Sequence, residues 1–561
     1  MKHAKTHVAH EAATTGKTAM QPSVSPQPFL KAFARTGKWL PYALLFTGFW
    51  WFATVTYGEV FERAVQESFV CSNAELMKSL TDQNFGGLYV FSRYLLLVFH
   101  SPLLGGCLLS LLLTASVFFL DRALRLPLMW RGVTSIFPAA LLVYFTNWGI
   151  HLYYKSEPSL FLLLSVAFFL TTAVLGIVVP LLTKAKDQTE KSDQAALKRW
   201  PIGLLTAAVA VAGINLYATQ TQDNTIRTAR MQLHILNGDI AALVEDGLEA
   251  PQPSRSVAAY YAIGLLYTDR LLDDLFNISY HYPDIQLKDV DGSGEYGIFN
   301  ADCNFFTGLI NPSYRCAMDQ VVMNGPRLYY LKRMAICAIA NQEKELAKKY
   351  LNIIRQVPLE NDFVAYYEPM AEQPELAQQD LVINKVMQLY PQEQQFEQHY
   401  RNPTFLGYNV GVLQGTNQAL APSIAACLYS KDLPNMAQRA IQLKQLRPAL
   451  PLPVMEALSI FSRKNPGILN YFPELNPEAQ FPHAAVANVN NFFITIQNHF
   501  EEKYNHAPDW RQRMAQELKN GIDSDLRELL LKDWKGHYCY YYYCENIKPK
   551  QNTQKEKSEV N

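Results

Sequence analysis

The chain is 561 residues long, and its 50 basic residues (Lys and Arg) are balanced by 50 acidic ones (Asp and Glu). Residues 220–561 are mildly acidic, with 32 basic and 39 acidic residues. They lack the basic footprint that phosphate contacts require, so we exclude nucleic acid as a partner. We find no motif of a catalytic centre or of a cofactor site, and we therefore expect no cofactor.

Five apolar runs fill the region 39–219, and each is close to the roughly 20 residues that cross a bilayer as a helix. The predicted spans are residues 39–57, 102–120, 134–153, 159–183 and 201–219. The last run is short and rich in Ala, which makes it the weakest of the five. We predict a transmembrane domain at 39–219, embedded in a lipid bilayer and preceded by a disordered cytoplasmic tail at 1–38.

The distribution of Lys and Arg predicts the orientation. The N-terminal tail and the loops on its side of the membrane hold fourteen of them, and the alternate loops hold four. The positive-inside rule then places the N-terminus in the cytoplasm of a bacterial cell, at its inner membrane. Five crossings place residues 220–546 in the periplasm. If 201–219 did not insert, that domain would lie in the cytoplasm instead.

Two acidic residues, Glu59 and Glu62, follow the first span and are weak candidates for a catalytic role. The segment 59–85 has the pattern of a helix lying on the bilayer. The segment 87–100 is either a second interfacial helix or an extension of the second span beyond a kink at Pro102.

The third span holds the most polar group within the membrane block. Tyr144, Asn147 and His151 follow helical spacing and share one face. Polar residues at membrane depth are functional candidates by default. The alternative is that they only hydrogen-bond a neighbouring helix.

Beyond residue 219 the pattern changes to amphipathic helices, and three helical hairpins resemble one another. Their helices are predicted at 226–236 and 240–248, at 328–340 and 343–356, and at 422–429 and 435–446. Ala241, Ala347 and Ala437 occur early in the second helices, where close packing requires small residues. The order helix, turn, helix and Pro is typical of tetratricopeptide units, but the 34-residue period is missing. We predict an all-α chain in which an irregular tetratricopeptide-like α-solenoid occupies 220–546, followed by a disordered tail at 547–561.

One loop begins like a calcium-binding EF-hand loop. Asp289, Asp291, Ser293 and Glu295 occupy positions that could supply oxygen ligands, but position 12 is Asn300 instead of Glu. An Asp- and Gly-rich run is more often a plain turn, so we predict no metal here.

The chain closes with five Tyr among residues 538–543, a composition that favours a strand. These rings would cover the last apolar face of the solenoid; the alternative is a surface for stacking sugar rings. The eight Cys show no metal or redox spacing, and we favour buried thiols over disulfides.

Several segments together resemble a domain-of-unknown-function family of multi-pass inner-membrane proteins from Bacteroidetes with a tetratricopeptide-like C-terminal domain. The resemblance is carried by the apolar block, residues 304–311 (NFFTGLIN) with Tyr314, the hairpin at 331–350, Asn402-Pro403, and the Tyr-rich close. It covers most of 30–546. The family has no established activity, so the resemblance implies an architecture and no catalytic residue.

The sequence favours a non-enzymatic role, as a membrane-anchored helical-repeat scaffold that binds a protein or envelope partner outside the cytoplasmic membrane. The alternative is an envelope glycosyltransferase-like enzyme that uses a lipid-linked sugar, with Glu59 and Glu62 near its site. A small-solute transporter is less favoured, because five spans show no inverted repeat.

Overall fold

The computed structural model describes residues 39–81, 86–149, 157–182, 202–281, 301–390, 417–519 and 521–545. These residues form helices joined by turns, with no β-strand among them, so the all-α prediction is confirmed. His151, the loop 289–300 and both predicted tails lie outside the described residues.

The first part of the fold is a bundle of apolar helices with three amphipathic helices between its first two members. In chain order the helices are α1 (Leu40–Trp51, continued by a π-helical turn, Phe52–Thr56), α2 (Gly58–Gln66), α3 (Ala74–Thr81), α4 (Gly86–Leu96), α5 (Pro102–Ala123), α6 (Ile136–Tyr144, continued by Phe145–Gly149), α7 (Leu160–Leu182) and α8 (Ile202–Thr221). Short 3₁₀ turns occupy Leu97–His100, Leu128–Trp130 and Val133–Ser135.

Four helical segments are long and apolar enough to cross a membrane: Pro102–Ala123, Leu128–Asn147, Leu160–Leu182 and Ile202–Thr221. The last of them is the run predicted to be weakest. The prediction of five full-length spans is wrong for the first run, which forms a shorter apolar helix, Leu40–Thr56. The backbone leaves the helical conformation at Tyr57 (φ −127°, ψ 11°), and the amphipathic α2 starts at the next residue.

The five apolar helices nevertheless pack as one bundle, in which α1, α6 and α8 run antiparallel to α5 and α7. At one end, which we call the distal end, the ring of Trp39 stacks on Phe118 at 5.7 Å. At the other end, the domain end, the rings of Phe61 and Phe161 lie 4.8 Å apart. α5 and α7 approach closely at Gly176, which has no Cβ. A Cβ added at this position would lie only 2.6 Å from the carbonyl oxygen of Phe119.

The second part of the fold continues from α8 without a break in helical character. Its first helices are α9 (Asp223–Asn237), α10 (Ala242–Leu248), α11 (Arg255–Tyr267), α12 (Leu271–Asp274), α13 (Ile310–Asn324), α14 (Leu328–Ala340), α15 (Lys344–Ile354), α16 (Asn361–Glu372), α17 (Pro374–Ala377) and α18 (Leu381–Leu389). Residues 301–306 are also helical, and Leu275–Asn277 is a 3₁₀ turn.

The remaining helices complete the same domain. They are α19 (Leu420–Tyr429), α20 (Leu433–Leu446), α21 (Leu452–Ser462), α22 (Ala484–Lys503), α23 (Trp510–Lys519), α24 (Ser524–Trp534) and α25 (Tyr538–Cys544), with 3₁₀ turns at Asn417–Ala419, Pro466–Asn470 and Pro473–Leu475. Its core is continuous and includes Phe69, Val70, Cys71 and Met77 from the segment before α4.

The three predicted hairpins are present as α9–α10, α14–α15 and α19–α20, whereas their arrangement as an irregular tetratricopeptide-like solenoid stays a prediction. Ala347 and Ala437 are buried in their hairpins as expected. Ala241 is exposed, so the small-residue argument is wrong for the first hairpin. A close approach involving α10 lies outside this hairpin, between α10 and the next helix, because a Cβ added to Gly264 on α11 would lie 2.9 Å from the Cβ of Leu243.

The Tyr-rich close is the helix α25, so the predicted strand is wrong. Tyr538 and Tyr541 are buried, and their hydroxyl groups donate to the carbonyl oxygens of Leu428 and Tyr429 at the end of α19. The preference of Tyr for strands depends on a neighbouring strand, and here the neighbours are helices. All eight cysteines lie in described residues, and none of them forms a disulfide.

Candidate functional site

Two helices lead out of the bundle at its domain end, and both present polar side chains to the interior. α2 follows α1, and α9 follows α8. Arg63 and Glu67 lie one helical turn apart and share a face. This face is turned toward α9 and toward α14, so both residues are buried.

Arg63 is held by partners from three parts of the chain. Its Nη2 donates to Glu67 Oε1 at 2.5 Å, and its Nε donates to Gln232 Oε1 on α9 at 2.5 Å. Its guanidinium lies 3.9 Å from the ring centroid of Tyr329 on α14, a cation–π geometry. Glu67 also accepts from Arg327 Nη1 at 2.7 Å, so one buried carboxylate serves two guanidinium groups.

Asp302 is the second buried carboxylate, and four donor groups satisfy it. Arg333 donates to Oδ1 from Nη2 at 2.7 Å and from Nε at 3.1 Å. The hydroxyl groups of Tyr260 and Tyr329 donate to Oδ2. Burial, together with the charge of Asp302, raises the pKa of both tyrosines well above 10.0, so they stay protonated donors. Gln232 Nε2 donates to the Tyr260 hydroxyl at 2.7 Å and links this cluster to Arg63.

Lys332 and Glu360 form a third buried ion pair, next to those of Glu67 and Asp302. Lys332 Nζ lies 2.6 Å from Glu360 Oε2 and donates to Gln66 Oε1 at 3.0 Å. Burial lowers the pKa of Lys332, and the charge of Glu360 opposes that shift.

We call these buried ionic residues the ionic junction: Arg63, Glu67, Asp302, Arg327, Lys332, Arg333 and Glu360. Four of them are cations and three are carboxylates, and they connect a helix that follows the first bundle helix to the core of the second part of the fold. A buried ion pair adds little stability over an apolar contact, but loss of one partner leaves an uncompensated charge. The ionic junction therefore links the end of α2 to Arg327 and to α9 through buried charges that neither side can lose without leaving a charge uncompensated.

The acidic candidates Glu59 and Glu62 lie beside the ionic junction on α2. Glu59 forms a two-point ion pair with Arg230 on α9, at 2.7 Å and 3.3 Å. Arg230 also reaches Asp246 at 3.2 Å. Glu62 is half-buried, and burial, together with the charge of Glu59, raises its pKa above 4.5. Glu59 is thus engaged in packing α2 against α9.

The polar group predicted within the third span does not form a shared site in the described residues. Tyr144 is exposed on the surface of the bundle. Asn147 Nδ2 donates to the carbonyl oxygen of Val143, one turn earlier on its own helix. His151 and the loop residues Asp289, Asp291, Ser293 and Glu295 lie outside the described residues.

A buried carboxylate that the sequence analysis missed holds the distal end together. Asp121, near the end of α5, accepts from the Tyr42 hydroxyl at 2.8 Å, from the Gly132 backbone N–H at 2.7 Å and from Thr134 Oγ1 at 2.6 Å. Asp121 directly follows the predicted span 102–120 and precedes Arg122, so its sequence context was that of an ordinary charged loop and gave no signal.

A second missed group surrounds Glu456 at the start of α25. Oxygen, nitrogen and sulfur atoms of Glu456, His537 and Cys539 lie within 4.8 Å of one another, a spacing that could hold a metal ion. Glu456 already accepts from His537 Nδ1 at 2.7 Å, from the Tyr538 backbone N–H at 2.8 Å and from Asn488 at 3.0 Å. Burial raises the pKa of Cys539, which favours the protonated thiol over the thiolate that binds metals. The group is accounted for as the attachment of α25.

Comparison with known proteins gives one finding and two negative results. No curated protein and no solved structure matches the chain. A family model described as "Family of unknown function (DUF6057)" matches residues 149–545. The match starts at the end of α6, includes all the helices from α7 to α25, and covers well over half of the sequence. The chain therefore belongs to this family of unknown function, DUF6057.

Proposed function

We propose that the protein is a membrane-anchored scaffold, whose helical-repeat domain binds a protein or envelope partner outside the cytoplasmic membrane of a bacterium. The observation that carries this proposal is the ionic junction, in which the carboxylate of Glu67, directly after α2, accepts hydrogen bonds from both Arg63 and Arg327. A domain fixed to its membrane bundle presents its surface at a constant height and angle above the bilayer. The helices of the domain pack mainly on their sequence neighbours, as in repeat proteins with extended binding surfaces.

The proposed orientation is supported by charge and by helix direction. Arg122, Arg125 and Arg131 belong to the distal end, opposite the soluble domain. The positive-inside rule then assigns the distal end to the cytoplasm. The first apolar helix, Leu40–Thr56, runs from the distal end to the domain end and is at the lower limit of about 17 residues for a crossing. In this arrangement it crosses together with the four longer segments, and the domain is periplasmic.

Partner capture tests the scaffold role. The full chain, tagged after Asn561, is crosslinked with formaldehyde in cells, purified in detergent and examined by mass spectrometry. The matched variants are Ala347→Glu, which places a carboxylate in the domain core, and Ala241→Glu, which places one on its surface. We expect a defined envelope protein with wild type and Ala241→Glu but not with Ala347→Glu. Recovery of the same proteins from all three would contradict the proposal.

An envelope glycosyltransferase-like enzyme remains the second candidate, favoured by one observation. Glu62 lies just outside the bundle with a raised pKa, a property suited to a general acid. In that case Glu62→Gln should remove an envelope glycan without changing partner capture. Glu59→Gln serves as the comparison for Glu62→Gln. It removes the ion pair with Arg230, so we expect it to weaken the contact between α2 and α9 and not to remove the glycan.

A further inference from the structure

The helix α4 carries an exposed apolar stripe close to the domain end of the bundle. Leu88, Phe91 and Tyr94 are 50%, 53% and 42% exposed and follow one another at intervals of three residues. Residues at this spacing lie on one face of a helix. The stripe is therefore continuous along α4.

The opposite face of α4 is buried and holds the polar residues Ser92 and Arg93 together with the apolar Leu96. Arg93 donates to both oxygens of Glu157, each at 2.6 Å, and to the carbonyl oxygen of Phe69 at 3.0 Å. The hydroxyl groups of Ser92 and Ser159 lie 2.7 Å apart. A surface helix in water shows apolar residues inside and polar residues outside. α4 instead buries its polar residues Ser92 and Arg93, and its exposed positions are Gly87 and three apolar or aromatic residues, which suits an apolar surrounding.

The exposed stripe also continues an apolar surface of the bundle. α4 is joined by the turn Leu97–His100 to α5, one of the four segments long enough to cross a membrane. Leu103 and Leu104, in the first turn of α5, are exposed as well. α4 also packs against α7, a second candidate span.

We propose that α4 lies in the membrane leaflet on the domain side, with Leu88, Phe91 and Tyr94 against lipid acyl chains. This inference rests on the membrane insertion in the proposed function and adds a lipid-facing helix that is not a span. The Arg93–Glu157 pair faces the protein, where it fastens α4 to the start of α7 and keeps the charge away from lipid. The membrane boundary then lies on the domain side of α4 and not at Pro102.

Site-specific photocrosslinking in the full chain tests this placement. p-Benzoylphenylalanine replaces Phe91, Leu111 or Phe481 in separate variants, and cells are irradiated before purification. Leu111 is exposed in the middle of α5, and Phe481 is exposed in the soluble domain. We expect a mass increase equal to one phospholipid at positions 91 and 111 but not at 481. Because the probe resembles Phe and position 91 is exposed, folding should be preserved; position 88 serves as a second site.

The outcomes separate this inference from the proposed function. A lipid adduct at 111 without one at 91 or 88 would overturn the placement of α4 and leave the membrane anchoring intact. Absence of lipid adducts at 111 as well would overturn both. A crosslinked dimer from position 91 would show that a second copy of the chain covers the stripe, which also contradicts the inference.

Discussion

Glu67 is the residue on which the ionic junction depends most, because its carboxylate pairs with both Arg63 and Arg327. Glu67→Gln should therefore leave two buried guanidinium groups short of a counter-charge and lower the free energy of unfolding by roughly 3–5 kcal/mol. Thermal or denaturant unfolding of the detergent-solubilised protein measures the change. The control is Glu372→Gln, which removes an exposed pair with Lys344 and Lys348 and should leave stability unchanged. Equal effects of the two substitutions would contradict the role of Glu67.

His537 gives the attachment of α25 a pH dependence. Its hydrogen bond with Glu456 raises the pKa of His537 above 6.5. A raised histidine pKa stabilises the folded state below the unfolded value, and this contribution is lost as pH rises through the folded value. Wild type should exceed His537→Gln in Tm at about pH 5.5, and the difference should shrink by about pH 9. The exposed His506 provides the control His506→Asn; a constant difference for His537→Gln would refute the assignment.

For individual residues, the sequence predicts which side chains lie near the first apolar run but not which of them pair with each other. It places Glu59 and Glu62 beside the first apolar run, and the structure does find both on α2. The pairing of Glu67 with Arg327 joins residues 260 positions apart, and no local pattern encodes it. Asp302 likewise has an ordinary sequence neighbourhood, and only the packing of α11 and α14 brings four donor groups to it.

Among the helical elements, α15 and α10 offer a direct test of the hairpins. Ala347 is buried where α15 meets α14, whereas Ala241 is exposed at the start of α10. Ala347→Glu should lower the free energy of unfolding by about 3 kcal/mol or more, because it buries an unpaired carboxylate. Ala241→Glu should change it by less than about 0.5 kcal/mol. Unfolding curves of the two full-length variants measure these changes. If Ala347→Glu left the free energy of unfolding unchanged, the α14–α15 packing would be ruled out.

Helices that bury one face or an entire apolar run were predictable, because hydrophobic periodicity encodes them directly. The α14–α15 hairpin is the clearest case. Two elements were not predictable in this way. The length of α1 depends on where Tyr57 leaves the helix, and the composition of residues 39–57 does not show that turn. α25 is helical because its rings pack on α19, a contact that strand propensity ignores.

For the whole molecule, orientation is the property with the sharpest readout. Alkaline phosphatase fused after Asn561 should be active, and a fluorescent protein at the same place should be dark, because the proposed arrangement exports the domain. A tag on the N-terminal tail should be accessible only in permeabilised cells. The opposite pattern would mean that the apolar helices cross in the other direction or that Leu40–Thr56 does not cross.

The two ion pairs that Glu67 forms, with Arg63 and with Arg327, also bear on how these positions vary among related proteins. The family match begins at residue 149, so Arg327 lies inside it while Glu67 lies upstream. In a relative without a carboxylate at position 67, the buried guanidinium of Arg327 would lack its counter-charge unless position 327 changed too. We expect these two positions to vary together among relatives that retain the upstream helices, and Arg327 to be replaced by an uncharged residue where those helices are missing. Independent variation at positions 67 and 327 would show that the residues of the ionic junction do not change together among relatives.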